Sequence, residues 1–165
     1  MVFASLRNGR RSARRAILTP YKLAVAGRFA ERHTITRMLA TAQLDPLLVV
    51  VTASWLASEA ESDGVMSDEA ARLQVETNIV EILNADLLLY VPSWFMGTLT
   101  NGGHVWDPRW SPGRCIDVGI AMGAGVPVLI VGTPEPSIYF RGMPSCQPGE
   151  LRETVGRLLG GRTQV

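Results

Sequence analysis

SPGRCIDVGIAMGAGVPVLIV, residues Ser111 to Val131, reads as a loop, a helix that begins near Arg114 to Ile116, a turn across Gly123 to Val126, and a buried strand from Val128 to Val131. On this reading Asp117 falls in the first turn of the helix. Unpaired backbone N–H groups and the positive end of the helix dipole favour an ionised acid there and would equally hold an anionic ligand. Gly119, Ala121 and Gly123 keep the helix slim, so it can approach a sheet closely and let a ligand reach backbone. An aspartate that only stabilises its own helix is the plainer reading of the same spacing.

Working outward, Ala85 to Val91 (ADLLLYV) is an apolar strand stopped by Pro92. Before it, Ser67 to Asn84 has the pattern of a capped helix, with Leu73, Thr77, Val80, Ile82 and Leu83 as its apolar side. Lys22 to Ala26 (KLAVA) is a short buried strand that ends at Gly27, a tight strand-to-helix turn. Glu31 to Gln43 carries Ile35, Met38, Leu39 and Ala42 at helical spacing and stops at Asp45-Pro46. Leu47 to Thr52 (LLVVVT) is continuous and β-branched, as expected of a parallel strand covered on both faces. A last helix runs from Pro148 to Leu159, with Leu151, Val155, Leu158 and Leu159 as its buried stripe. This alternation predicts an α/β fold, a doubly wound (flavodoxin/Rossmann-like) parallel sheet of four to five strands with helices on both faces. The expected strand order is 2-1-3-4, with a short fifth strand near Pro144 to Gln147.

The chain has 165 residues, 47% of them hydrophobic and 19% charged, which suits one globular domain with a sizeable core. No apolar run reaches the roughly 18 residues of a membrane span, so no membrane partner is expected. Five arginines (Arg7, Arg10, Arg11, Arg14, Arg15) fall in residues 1–20, and no acid precedes Glu31. That basic segment is expected to be a disordered tail, and residues 21–160 a single α/β domain. Setting the tail aside, a formal charge of +1 becomes −4, which argues against a polymeric nucleic acid as partner. Cys115 and Cys146 have neither metal-ligand nor disulfide-framework spacing, in keeping with a reducing, cytoplasmic setting.

In such a sheet the loops after the strands converge on one crevice. They bring Gly27, Arg28 and Phe29, then Trp55, then the segment Ser93 to Pro112 with Trp94, Trp106 and Trp110, then Thr133 and Glu135, while Asp117 looks in from its helix. A small ligand is the expected occupant. His33 and His104 stand far apart with no matching ligands, so neither a metal nor another cofactor is expected. No G-x-S-x-G elbow is present, and no G-x-G-x-x-G turn follows the first strand.

Three segments, AGRF (Ala26 to Phe29), NIVEILNADLLLYV (Asn78 to Val91) and GRCIDVGIAMGAGVPVLIVG (Gly113 to Gly132), together resemble the nucleoside 2-deoxyribosyltransferase-like family, which includes nucleotide N-glycoside hydrolases. The resemblance spans residues 22 to about 145. It implies an enzyme that processes the N-glycosidic bond of nucleosides or nucleoside 5′-monophosphates, through a carboxylate nucleophile and a covalent glycosyl-enzyme. The nucleophile position, a glutamate in the family, falls on the shorter Asp117. A second position, usually aspartate, falls on the amide Asn78. Since an amide cannot serve as a proton donor in the manner of a carboxyl group, base protonation would pass to Glu81, Asp86, a tyrosine or water. Gly27, Arg28 and Phe29 would line the site, with Arg28 or Arg32 facing a 5′-phosphate. Phe29, Trp55 and Met122 would flank the base, and Trp106, Arg114 and Gly119 complete the candidate substrate contacts. The resemblance also implies a homo-oligomer. The two substitutions leave a rival open: a catalytically inactive nucleotide- or sugar-nucleotide-binding module of the same fold. A third reading makes the domain an assembly unit with the tryptophan segment as its contact surface.

Overall fold

The computed structural model describes residues 19–58, 66–92, 112–134 and 138–160. Residues 1–18 of the expected basic tail and 93–111 of the tryptophan segment lie outside them. Strand β1 (Tyr21–Ala26) leads through a 3-10 turn (Phe29–Glu31) into helix α1 (Arg32–Thr41). Strand β2 (Val49–Val51) is followed by a second 3-10 turn (Ser54–Ala57) and, further on, by helix α2 (Asp68–Leu83). Then come β3 (Leu87–Tyr90), α3 (Pro112–Gly123), β4 (Val128–Val131), the two-residue β5 (Ser145–Cys146) and α4 (Leu151–Gly160).

The five strands form one parallel sheet in the order β2-β1-β3-β4-β5, as the alternation of strands and helices predicts. Its register sets Leu23 beside Val51 and Leu87, and Leu89 beside Val25 and Leu129. Side chains alternate across a strand, so the apolar runs of β1, β3 and β4 each feed two cores. Leu23, Val25, Leu87, Leu89, Leu129 and Val131 pack with Ile35 and Met38 of α1 and with Leu151, Val155 and Leu159 of α4. Ala24, Ala26, Leu88, Tyr90, Val128 and Ile130 pack with Ile82 of α2 and with Val118 and Ala121 of α3. Helices therefore cover both faces of the sheet.

Local signals set the helix ends. Ser67 Oγ accepts the Ala70 N–H at 3.3 Å and caps α2. Gln147 and Glu150 form a capping box ahead of α4, with Pro148 in the first turn. Gln43 takes a left-handed φ of 48° just after α1, which ends the helix before Asp45-Pro46.

Two expectations need correction. Helix α3 starts at Pro112, earlier than Arg114 to Ile116, so Asp117 stands in its second turn and no acid occupies the first. The free N–H groups of the helix end are thus not the surroundings of Asp117. The second correction concerns α2, where Ile82 is buried but Leu73, Val80 and Leu83 are 64%, 57% and 52% exposed. The helix carries apolar residues nearly all the way round, and the sheet takes the side bearing Ile82 rather than the side bearing Leu73 and Val80. Among the described residues no helix is long and apolar enough to cross a membrane.

Candidate functional site

Strand β2 leaves the sheet early. The Thr52 N–H donates to the Leu23 carbonyl at 2.9 Å, and the next β1 carbonyl on that edge, Val25 O, accepts from Trp55 Nε1 at 2.9 Å. The indole replaces a strand partner and anchors Trp55 in the core, 5% exposed. Gly27 sits against it: a Cβ there would lie 2.5 Å from Ile35 Cδ1 and 3.3 Å from Trp55 Cη2. Only glycine lets the chain turn this close to the ring. Phe29 lies 6.3 Å from Trp55, centroid to centroid, with the planes 32° apart. Arg32 covers the Phe29 ring at 4.9 Å and donates from Nε to Ser58 O at 3.0 Å.

Gly27, Phe29 and Trp55 form one wall of a cavity of about 260 Å³ at the C-terminal ends of the strands. The opposite wall is helical: Gln74, Asn78 and Ile79 from α2, Arg114, Asp117 and Ile120 from α3. This is the crevice where open α/β sheets take ligands. The Asp117 carboxyl is pushed up to about 6 by desolvation on burial. The expectation of an acid favoured in its ionised form by a helix end is therefore replaced by one held closer to neutrality by its surroundings. Arg114, on the same helix, is 3% exposed.

A polar stripe runs along α2 at Gln74, Asn78 and Glu81, spaced i, i+4, i+7 so that the three share one side of the helix. Gln74 Nε2 donates to Asn78 Oδ1 at 2.8 Å and to Ser54 Oγ at 3.3 Å. Glu81 accepts the Ser54 N–H at 3.0 and 3.2 Å through its two carboxylate oxygens. The stripe thus ties α2 to the turn that carries Trp55.

Of the residues singled out from sequence, the fold brings Gly27, Phe29, Trp55, Asn78, Arg114 and Asp117 to the walls of one cavity. Glu81 is not among the lining residues; its carboxylate holds Ser54. Asp86 lies at the opposite end of the sheet, before β3, where its Oδ2 accepts the Lys22 N–H at 2.8 Å. Gly119 and Met122 stand exposed on α3, and Arg28 is partly buried without lining the cavity. Thr133 is exposed after β4. Trp94, Trp106, Trp110 and Glu135 lie outside the described residues.

Gln74 is the residue that sequence reading missed. Its signal was present as the first member of the i, i+4, i+7 polar stripe, but its partner Ser54 is twenty residues away in the chain.

A second hollow, about 420 Å³, lies at the N-terminal end of the sheet between Tyr21, Leu48 and Val49 on one side and Arg152, Val155 and Leu159 on the other. Its walls are mainly aliphatic and bring no carboxyl–amide grouping together. Among the described residues no three His, Cys, Asp or Glu side chains group as a metal site would need. No protein-family model matches this chain, and no curated protein matches it.

Proposed function

We propose that this protein processes N-glycosidic bonds in nucleosides or nucleoside 5′-monophosphates, in the manner of the nucleoside 2-deoxyribosyltransferase-like family that its sequence resembles. One observation carries the reading: a partly buried carboxyl, Asp117, pushed up to about 6, shares a ligand-sized cavity with the aromatic pair Phe29 and Trp55. A flat base has an aromatic wall to lie near, and a sugar has a carboxylate to face. A carboxylate oxygen of Asp117 attacks C1′ as the C1′–N bond breaks. The bonding pair leaves with the base nitrogen, which takes a proton from water. Water or a second base then displaces Asp117 from C1′ and restores the carboxylate. Arg114 lines the cavity, and a guanidinium is suited to a 5′-phosphate.

The setting is proposed to be cytoplasmic and the assembly homo-oligomeric. The exposed Leu73, Val80 and Leu83 on α2 support the assembly. The test is a chromatographic screen of ribo- and deoxyribonucleosides and their 5′-monophosphates, with and without an acceptor base, beside Asp117→Ala. Release or exchange of a base that is lost in the variant supports the reading.

A second reading, a binding module without turnover, draws support from the amide at Asn78 and from the engagement of Glu81 with Ser54. Neither group offers a free carboxyl to protonate a leaving base. Thermal stabilisation by a nucleotide with no base release from any substrate would favour it.

A further inference from the structure

Asn78 and Asp117 line one cavity from neighbouring helices, and the polarity of the Asn78 amide is fixed by Gln74, one turn earlier on α2. Gln74 gives an N–H to Asn78 Oδ1 at 2.8 Å and another to Ser54 Oγ at 3.3 Å, so both hydrogens of its NH2 group are committed. Ser54 is itself held by Glu81, which accepts its backbone N–H. With its oxygen engaged by Gln74, Asn78 has its own NH2 group left to offer a ligand. Asp117, when ionised, has only acceptors. A donor and an acceptor lining one cavity suit a hydroxyl group, which accepts one hydrogen bond and gives another; a methylene satisfies neither. In glycoside chemistry the hydroxyl next to the reacting carbon stands closest to the attacking carboxylate.

We propose that Gln74 is a positioning residue that sets the Asn78 amide as a donor in the cavity that Asp117 also lines, and that this pair makes the site select ribosyl over 2′-deoxyribosyl substrates through the 2′-hydroxyl. The inference rests on the N-glycosidic reading above. It adds to that reading a residue, a direction of hydrogen bonding and a sugar preference. A site arranged to hydrogen-bond a hydroxyl discriminates against the analogue that lacks it, because its own polar groups are then left unpaired.

Gln74→Glu tests the polarity with almost no change of shape. A carboxylate at 74 can only accept, so the Asn78 amide must turn its NH2 group toward it and present oxygen to the cavity. Gln74→Met removes the constraint without adding charge. The measurement is kcat/KM for a ribonucleoside and the matching 2′-deoxyribonucleoside, with kcat and KM resolved separately, for wild type and both variants, together with Tm.

The expected result is a wild type that prefers the ribosyl substrate. In Gln74→Glu the ratio of ribosyl to deoxyribosyl kcat/KM falls at least tenfold, and in Gln74→Met it falls by a smaller factor. A general effect of charge or folding acts on both substrates alike and cancels in the ratio. Equal losses on both substrates, or a ribosyl preference that survives Gln74→Glu, would overturn the inference while leaving the N-glycosidic reading intact. If wild type shows no Asp117-dependent base release from any substrate, the N-glycosidic reading fails and this inference fails with it.

Discussion

Trp55 donates its indole N–H to the Val25 carbonyl across 2.9 Å, at the point where β2 no longer supplies partners to β1. The bond joins the wall of the cavity to the central strands, so losing it should be felt in stability as well as in the site. Trp55→Phe keeps an aromatic ring but leaves a buried carbonyl short of its donor, a loss of about 1–3 kcal/mol. Urea unfolding should show a lower midpoint at unchanged slope. A shift worth under about 0.5 kcal/mol would mean that water or another donor replaces the indole.

Gly27 makes a sharper prediction, because the obstacle to a larger residue can be named. In Gly27→Ala the new methyl meets Ile35 Cδ1 at 2.5 Å, closer than atoms tolerate, so one side must move. Overpacking of this kind costs about 1–3 kcal/mol. Ile35→Val removes the atom in the way. The double variant should therefore be more stable than the two single losses imply, with a coupling of about 1 kcal/mol. Denaturation of the four proteins checks this. Strict additivity would show that the Trp55 ring at 3.3 Å, and not Ile35, sets the limit.

The centre of the sheet was legible in the sequence because ADLLLYV and VPVLIV are almost wholly apolar, the pattern of strands buried on both faces. LLVVVT has the same look but forms the edge strand β2, where Leu47, Leu48, Val50 and Val51 are exposed, so the expectation that both its faces are covered is corrected. Helix α2 was harder for the same reason. Apolar residues lie on opposite sides of it, so periodicity alone could not tell that Ile82 faces the sheet while Leu73 and Val80 face away. The start of α3 was misjudged because Pro112-Gly113 looks like a turn, whereas a proline is also well suited to the first residue of a helix. Asp117 was found from its neighbours in sequence. Gln74 was not, since its meaning depends on Ser54, which only the folded chain brings beside it.

The outer side of α2 bears on assembly. Leu73, Val80 and Leu83 are each more than half exposed, and a partner copy would bury them. Replacing all three by lysine should cost the isolated fold little, since exposed positions usually change stability by less than about 0.5 kcal/mol each. A homo-oligomer built on this face should dissociate in sedimentation velocity while its helical circular dichroism persists. An unchanged sedimentation coefficient in the triple variant would remove this face from the assembly.

Asp117 links the cavity to pH with a definite sign. Its carboxyl is raised to about 6 by burial, above the roughly 3.9 of an unfolded aspartate. Below about pH 4 both states hold the proton and the shift has no effect on stability. Between about pH 4 and 6 the folded state keeps a proton that the unfolded state has released, so stability falls as pH rises through this window. Above it the ionised carboxylate is a standing cost, on the order of 2 kcal/mol once partial exposure of the cavity is allowed for. Asp117→Asn removes that cost. The variant should be more stable than wild type at pH 7.5, with the difference vanishing toward pH 4 in urea titrations. If the N-glycosidic reading holds, wild-type turnover should rise with pH through about 6, as the carboxylate forms, while the more stable variant stays inactive. A stability difference that is flat with pH would mean that Asp117 is solvated like a surface acid, and the case for a poised carboxylate would go with it.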